Sequence, residues 1–229
     1  MSGRGNRHQL EIVIPLIERI YPVSRETFSA FETYRALLES WQAKTNLVAP
    51  GTLDDFWSRH VCDSLQALAL FSEAKSWMDL GSGAGFPGLA IAIANRDRPE
   101  RRHVLVESNH KKCAFLRAVT RETGAHALVE NERIESAAKR YAAASLLPDM
   151  VTARALAPLS RLLELAEPLL AAGAVGLFHK GRDFAREVED CRGLWQFDLV
   201  IHESRIEAGS VLLELRNPVR DKARNREES

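Results

Sequence analysis

The sequence predicts an α/β protein with a doubly wound, mostly parallel, seven-stranded Rossmann-like sheet and an N-terminal helical extension. From residue 74 onward, short apolar runs alternate with amphipathic stretches, as strands alternate with the helical crossovers of a parallel sheet. The first run ends in closely spaced glycines and continues into an apolar helix, the usual opening of a nucleotide-binding unit. We therefore predict a helical cap packed on the sheet (1–73), a sheet domain (74–217) and a polar, basic tail (218–229).

The elements of this fold follow in order from local signals. Ser24 is a good N-cap for a long helix with apolar positions three or four residues apart: Phe28, Phe31, Tyr34, Leu37, Leu38 and Trp41. Thr52-x-x-Asp55 has the form of a capping box and predicts a second helix. Strands are predicted near residues 76–80, 103–107, 127–130, 150–153 and 175–178, with helices at 89–94, 111–123 and 159–170. A hairpin near 199–201 and 211–215 ends the sheet, and the chain from Arg216 is expected to fray.

The glycine-rich turn points to the class of ligand. A dinucleotide site would read Gly-x-Gly-x-x-Gly, but counted from Gly81 the third position falls on Phe86. Asp79-x-Gly81-x-Gly83-x-Gly85 fits instead the acidic, glycine-rich pattern of S-adenosyl-L-methionine enzymes, so these four residues are predicted to bind that cofactor. Glu107 ends the next strand about twenty residues on, where a carboxylate can accept both ribose hydroxyls of an adenosine.

Composition and charge set limits on the function class. The 31 basic and 31 acidic residues cancel, so net charge gives no argument for a nucleic-acid partner. Three scattered cysteines form no Cys-x-x-Cys pair, which indicates reduced thiols and predicts a cytoplasmic protein. The N-terminus lacks the apolar core of a signal peptide, and the richest apolar stretch, 159–178, is interrupted by charges and a proline, so no membrane span is predicted.

Candidate site residues follow from the architecture. Ligands of doubly wound sheets bind beyond the carboxyl ends of the strands. The residues that follow predicted strands, and are nominated on that ground, are Glu107, Ile134, Glu135, Arg154 and Lys180. Lys111 and Lys112 come shortly after Glu107, so their positive charges are expected at the same ligand-binding edge.

A further polar cluster lies in the second predicted helix. Arg59, His60 and Asp63 fall within one turn, and their spacing alone favours a surface ion pair beside a hydrogen-bonded histidine. No second histidine or cysteine stands nearby at ligand spacing. We therefore predict no metal site.

From about Asn46 to Lys180 the sequence resembles the bacterial 16S ribosomal RNA guanine-N7 methyltransferases, also called glucose-inhibited division protein B. The matching blocks are Asn46-Leu47, Arg59-His60-x-x-Asp63-Ser64-Leu65, Asp79-Leu80-Gly81-Ser82-Gly83-Ala84-Gly85-Phe86-Pro87-Gly88, Val106-Glu107-Ser108-x-x-Lys111-Lys112-Cys113-x-Phe115-Leu116, Thr152-Ala153-Arg154-Ala155 and Lys180-Gly181. Many methyltransferases share the first glycine half. The Phe86-Pro87-Gly88 continuation and the two arginine-containing blocks are more specific to this family.

The resemblance implies an activity and a set of site residues. The reaction is in-line transfer of a methyl group from S-adenosylmethionine to N7 of a guanine in the 530 loop of 16S ribosomal RNA, guanine 527 in the usual numbering, without a covalent enzyme intermediate. Cofactor contacts are implied for Gly81, Phe86, Ile134, Glu135 and Arg154. The implied catalytic cleft contains Arg154, Lys180, Arg59, His60 and Asp63, and the RNA contacts predicted beside it are Lys111, Lys112 and Lys180. The expected partner is 16S ribosomal RNA or the small ribosomal subunit, and we expect a monomer that needs no membrane or metal.

Motifs that are absent from the chain agree with this activity. Carbon methylation of a pyrimidine needs a cysteine nucleophile, and Cys113 falls in an amphipathic helix where we expect it to be core. Amino methylation usually goes with an Asn/Asp-Pro-Pro-aromatic loop after the fourth strand, where this chain has residues 152–158 instead. Two alternatives stay open: a small-molecule methyltransferase with the same cofactor half, and a non-catalytic RNA-binding relative, which the intact glycine motif and Glu107 disfavour. A nicotinamide enzyme is disfavoured by Phe86.

Overall fold

A computed structural model describes residues 13–49 and 51–221. Within them, seven strands form one sheet in the order β3-β2-β1-β4-β5-β7-β6. β1 to β5 are parallel, whereas β7 runs antiparallel to both β5 and β6. This confirms the predicted fold class and the closing hairpin. The strands are β1 (Ser76–Leu80), β2 (Arg102–Val106), β3 (Leu128–Glu130), β4 (Met150–Arg154), β5 (Val175–Lys180), β6 (Trp195–Glu203) and β7 (Val211–Arg220).

Helices precede the sheet and connect its strands. The described part of the first, α1, covers residues 13–20. A π-helical segment, Phe56–Cys62, continues without a break into α3. The prediction missed two helices, α6 (Ile134–Ala143) and α8 (Phe184–Arg192). The remaining helices are α2 (Arg25–Gln42), α3 (Asp63–Leu70), α4 (Gly88–Ala94), α5 (His110–Thr123), α6 (Ile134–Ala143), α7 (Leu159–Leu170) and α8 (Phe184–Arg192).

An apolar core lies on each face of the sheet. On one face α1 to α5 pack together, and Phe31 and Leu38 of α2 share their core with Phe115 of α5. On the other face α6, α7 and α8 cover Met78 and Val151 of the central strands. The helical extension is therefore continuous with one of the sheet's own cores. Ser24 begins α2 as expected, since its hydroxyl accepts a hydrogen bond from Thr27 N at 3.1 Å.

Two local predictions are wrong. Thr52 does not cap a helix: its hydroxyl donates to Ala49 O at 2.9 Å within the preceding turn, and the next helix begins only at Phe56. The chain is also ordered beyond Arg216, because β7 continues to Arg220, whose guanidinium lies 5.6 Å from the ring centroid of Trp195. The predicted tail at 218–229 thus begins inside a strand, and residues 222–229 lie outside the described part of the chain.

Among residues 13–49 and 51–221, none of the helices is both long and apolar enough to cross a membrane.

Candidate cofactor and substrate site

A cavity of about 1210 Å³ lies at the carboxyl ends of the parallel strands. Sequence-distant residues meet there because all five parallel strands point to the same edge of the sheet. Of the residues predicted for a site, Asp79, Gly85 and Lys111 do not line it. Those that do are Arg59, His60, Asp63, Gly81, Gly83, Phe86, Glu107, Lys112, Ile134, Glu135, Arg154 and Lys180.

The glycine loop after β1 brings bare backbone to one end of this cavity. Gly81 and Gly83 have φ angles of 67° and 57°, in the left-handed region that residues with a Cβ rarely adopt. A Cβ added at Gly83 would meet only Gly81 O, at 3.7 Å, so this residue faces open space. The loop therefore leaves room for a ligand to approach the main chain closely.

Glu107 lies beside this loop and is held rigidly. Gly83 N donates to its Oε2 at 2.9 Å, and Asn109 N donates to its Oε1 at 2.8 Å. Each carboxylate oxygen has two lone pairs, so one acceptor site on each oxygen remains. A fixed carboxylate with two free acceptor sites matches the adjacent hydroxyls of a ribose.

Asp79 lies beneath the loop instead of in the cavity wall. Its side chain is 2% exposed, and Thr152 Oγ1 donates to Oδ1 at 2.8 Å. Burial raises the pKa of this carboxyl to about 6, although hydrogen bonds from Thr152 and Ser82 oppose the shift. Gly88 packs directly on it, since a Cβ there would lie 2.3 Å from Asp79 Cβ. Asp79 thus supports the loop from below, and its predicted cofactor contact stays a prediction.

Arg154 organises the other end of the cavity. From the end of β4, its Nη1 donates to Arg59 O at 2.8 Å and to Asp63 Oδ2 at 3.0 Å. Its Nη2 lies 2.9 Å from His60 Nδ1. A guanidinium only donates, so Nδ1 must accept and the imidazole carries its proton on Nε2. Burial, reinforced by the neighbouring Arg154 and Arg59 charges, lowers the pKa of His60 to about 4, which keeps the ring neutral near pH 7.

Phe86 connects the glycine loop to this cluster. Tyr34 and His60 both stack on it, with centroid distances of 5.1 and 4.7 Å and interplanar angles of 20° and 19°. The Arg154 guanidinium lies 5.2 Å from the Phe86 centroid. The Tyr34 hydroxyl of α2 also donates to Ala84 O in the loop. The helical extension therefore holds the loop, and Phe86 packs between the loop and the Arg154 cluster.

Lys180 is less available than the sequence predicted. Its side chain is 7% exposed, and its ammonium donates to Ala157 O at 2.8 Å and forms an ion pair with Glu187 Oε2 at 2.6 Å. The same Oε2 accepts from Leu159 N at 2.6 Å, at the start of α7. The residue before this helix, Pro158, has no polar side-chain atom that could cap it. Lys180 and Glu187 thus brace residues 155–158, which line the cavity. In this geometry the Lys180 ammonium is committed to Glu187 and Ala157 O, and its predicted RNA contact stays a prediction.

A profile of the GidB family, described as rRNA small subunit methyltransferase G, matches residues 27–211. The chain belongs to this family. A "Ribosomal RNA small subunit methyltransferase G" from Methylorubrum populi is 50% identical over 186 residues, which cover 81% of this chain and 86% of the relative. Proteins of the same name from Rhizobium leguminosarum and Rhizobium meliloti are 45% and 46% identical, and the matches cover 85% of this chain and 94% and 91% of theirs. These matches confirm the family predicted from the motif blocks.

In this member of the methyltransferase G family, the acids of the cavity are largely paired. Glu135 accepts from Arg161 Nη2 at 2.6 Å, and Asp63 accepts from Gln66 Nε2 at 2.9 Å as well as from Arg154. Both carboxylates line the cavity, where a free negative charge could stabilise a positive charge that develops on a substrate. Their arginine partners already balance them, so neither acid offers an unopposed negative charge.

Among the residues that sequence reasoning missed are Glu187, which lines the cavity, and Gln66, which lies behind Asp63. Gln66 is buried, bonds to Asp63 and accepts from Arg205 N at 2.6 Å, which ties the loop between β6 and β7 to the cavity wall. A polar residue in the otherwise apolar run of α3 is a weak signal for such a role. Glu187 had no signal, because α8 itself was not predicted.

That the protein has no metal site stays a prediction. In the part of the chain that the structure describes, no group of three or more His, Cys, Asp and Glu side chains is arranged to hold a metal ion.

Proposed function

We propose that this protein transfers a methyl group from S-adenosylmethionine to N7 of a guanine in the 530 loop of 16S ribosomal RNA, guanine 527 in the usual numbering. One observation carries the proposal: a single cavity joins the Glu107 carboxylate and bare glycine loop at one end to the Arg154 cluster at the other. The family shown by the sequence comparison supplies the class of substrate.

The cofactor end has the groups that an adenosyl amino acid needs. Glu107 has an acceptor site left on each oxygen for the two ribose hydroxyls, and Gly83 leaves space beside it. Ile134 and Glu135 begin α6 after the neighbouring strand β3, where an adenine would extend from the ribose. When bound, S-adenosylmethionine supplies an electrophilic methyl group on a sulfonium.

The substrate end orients the guanine. Three of the five N–H groups of Arg154 are committed to Arg59, Asp63 and His60, which leaves two for the cofactor carboxylate or for guanine O6. Guanine N7 has a free lone pair at neutral pH, so the chain does not have to remove a proton before attack. This agrees with a neutral, hydrogen-bonded His60 that supports Arg154 instead of acting as a base.

Positioning is then the main contribution of the protein. Fixing two reactants in line can lower a barrier by roughly 7–11 kcal/mol in favourable cases. The stack of Tyr34, Phe86 and His60 serves this purpose, because it joins the loop that holds the cofactor to the arginine that faces the base. The proposed catalytic wall is therefore Arg154 with Arg59, His60 and Asp63, and Lys180 contributes by bracing the loop 155–158.

The substrate test uses small ribosomal subunits that lack the modification. They are incubated with radiolabelled S-adenosylmethionine, and the labelled base is identified after digestion. We expect 7-methylguanine. Label elsewhere, or no label despite measurable cofactor binding, would overturn the proposal and favour a small-molecule methyltransferase.

Two variants test the residue roles. Glu107→Gln should weaken S-adenosylmethionine binding at least tenfold, because an amide can accept at only one of its two polar atoms. Glu122→Gln lies on the same connection between β2 and β3 but is exposed and away from the cavity. It is the matched control and should bind S-adenosylmethionine normally.

Arg154→Ala should lower turnover. If Arg154→Ala left both cofactor affinity and turnover unchanged, the assigned role of this arginine would be wrong.

A further inference from the structure

The cations that line the cavity fall into two groups. Three have carboxylate partners: Arg154 with Asp63, Arg161 with Glu135, and Lys180 with Glu187. Within residues 13–49 and 51–221, the other lining cations have no carboxylate oxygen within 4.0 Å, and these are Arg59, Lys112, Arg133 and Arg182. A positive charge that has no carboxylate partner in the protein is free to bind an anionic ligand. These four residues are therefore candidates to contact an anion in the cavity.

Strand order separates these four residues. β2 and β3 lie on one side of β1, and β4 and β5 lie on the other. Lys112 follows β2 and Arg133 follows β3, so both flank the cofactor end. Arg182 follows β5, and Arg59 lies in the π-helical segment whose carbonyl Arg154 binds, so both flank the substrate end.

The aliphatic stem of Arg182 lies beside the turn between β6 and β7. A Cβ at Gly209, in the turn between β6 and β7, would lie 3.0 Å from Arg182 Cγ and 3.5 Å from its Nε. Gly209 has a φ of 82°, so the backbone there also favours glycine. Gln66 anchors the same turn through its bond to Arg205 N. Glu207 of this turn also lines the cavity but forms no ion pair with Arg182.

We propose that Arg182 and Arg59 form a phosphate-binding surface that holds the RNA backbone beside the target guanine. The inference rests on the proposed function, because it assumes an RNA substrate in this cavity. A guanidinium matches two phosphate oxygens with two parallel hydrogen bonds, and an arginine that has no internal acid loses no ion pair when it binds one. Packing against Gly209 limits the conformations of Arg182 before RNA arrives, which reduces the entropy lost on binding.

The test compares Arg182→Gln with the wild type on unmodified small subunits. We expect KM for the subunit to rise roughly tenfold, the effect of removing one charged hydrogen bond. kcat should stay close to wild type, because Arg182 does not touch the reacting atoms. The slope of log affinity against log salt should become shallower by about 0.7–0.9 for each phosphate that the variant no longer neutralises. Arg182→Lys keeps the charge and should retain that slope. Arg186→Gln, an exposed arginine of α8 outside the cavity lining, is the matched control.

The outcomes separate this inference from the proposed function. If the wild type does not methylate the subunit at all, the proposed function fails. If the wild type methylates and Arg182→Gln keeps the wild-type KM and salt slope, only the surface assignment fails. Equilibrium dialysis with S-adenosylmethionine should give the same affinity for Arg182→Gln and the wild type. A loss of cofactor affinity would place Arg182 at the cofactor end and would also overturn the assignment.

Discussion

Glu187, which belongs to none of the sequence motifs, is predicted to stabilise the folded protein. Glu187→Ala removes the acceptor that Lys180 Nζ and Leu159 N share at 2.6 Å. The ammonium of Lys180, a side chain that is 7% exposed in the intact protein, would keep only Ala157 O as partner. Breaking a fully buried pair costs about 3–5 kcal/mol. Because Glu187 is 26% exposed, water can replace part of the missing interaction, so we expect about 2–3 kcal/mol. In a chain of this size that lowers Tm by roughly 5–10 °C.

Urea unfolding and thermal scans measure the loss directly. The matched control is Glu189→Ala on the same helix, whose side chain is exposed and pairs with Arg192 only at the surface, and it should change stability by less than about 0.5 kcal/mol. Lys180→Met combined with Glu187→Ala should recover part of the loss, because no unpaired charge stays buried. Subunit methylation by Glu187→Ala should also slow, since residues 155–158 line the cavity. A Glu187→Ala protein as stable as Glu189→Ala would refute the brace.

Three further predictions concern the loop and the core. Tyr34→Phe leaves Ala84 O without its donor, so calorimetry should show S-adenosylmethionine binding weakened by about 1–3 kcal/mol, and an unchanged Kd would contradict the role of α2 in holding the loop. Burial lowers the pKa of His103 to about 4, so the unfolded chain binds more protons than the fold as pH falls from 6.5. The free energy of unfolding should therefore fall between pH 6.5 and 4, and a His103→Gln variant with the same slope would exclude this cause. Gly88→Ala places Cβ 2.3 Å from Asp79 Cβ and should cost about 1–3 kcal/mol, which a wild-type Tm would disprove.

Local signals were sufficient for most of the sheet. The strand-like runs, the Ser24 cap and the glycine spacing each depend on residues that are neighbours in the chain, and the structure has β1 to β7 where those signals lie. Local reasoning failed at Thr52 for a physical reason, because its hydroxyl had a competing acceptor one turn earlier. It failed at the end of β7 because pairing with β6 and stacking on Trp195 extend the strand through polar residues.

The site shows the same division. The sequence by itself determined the fold class, the family, the glycine loop and the nomination of Glu107 and Arg154, because strand ends and backbone freedom are written in short patterns. Only the tertiary structure decided how charges are paired. Asp63 and Arg154 are 91 positions apart, and nothing in the order of residues selects this acid for this arginine. The same holds for Lys180, whose burial and ion pair with Glu187 come from packing between distant elements. Burial and pairing depend on which surfaces meet, so a residue's type was readable from the sequence and its role was not.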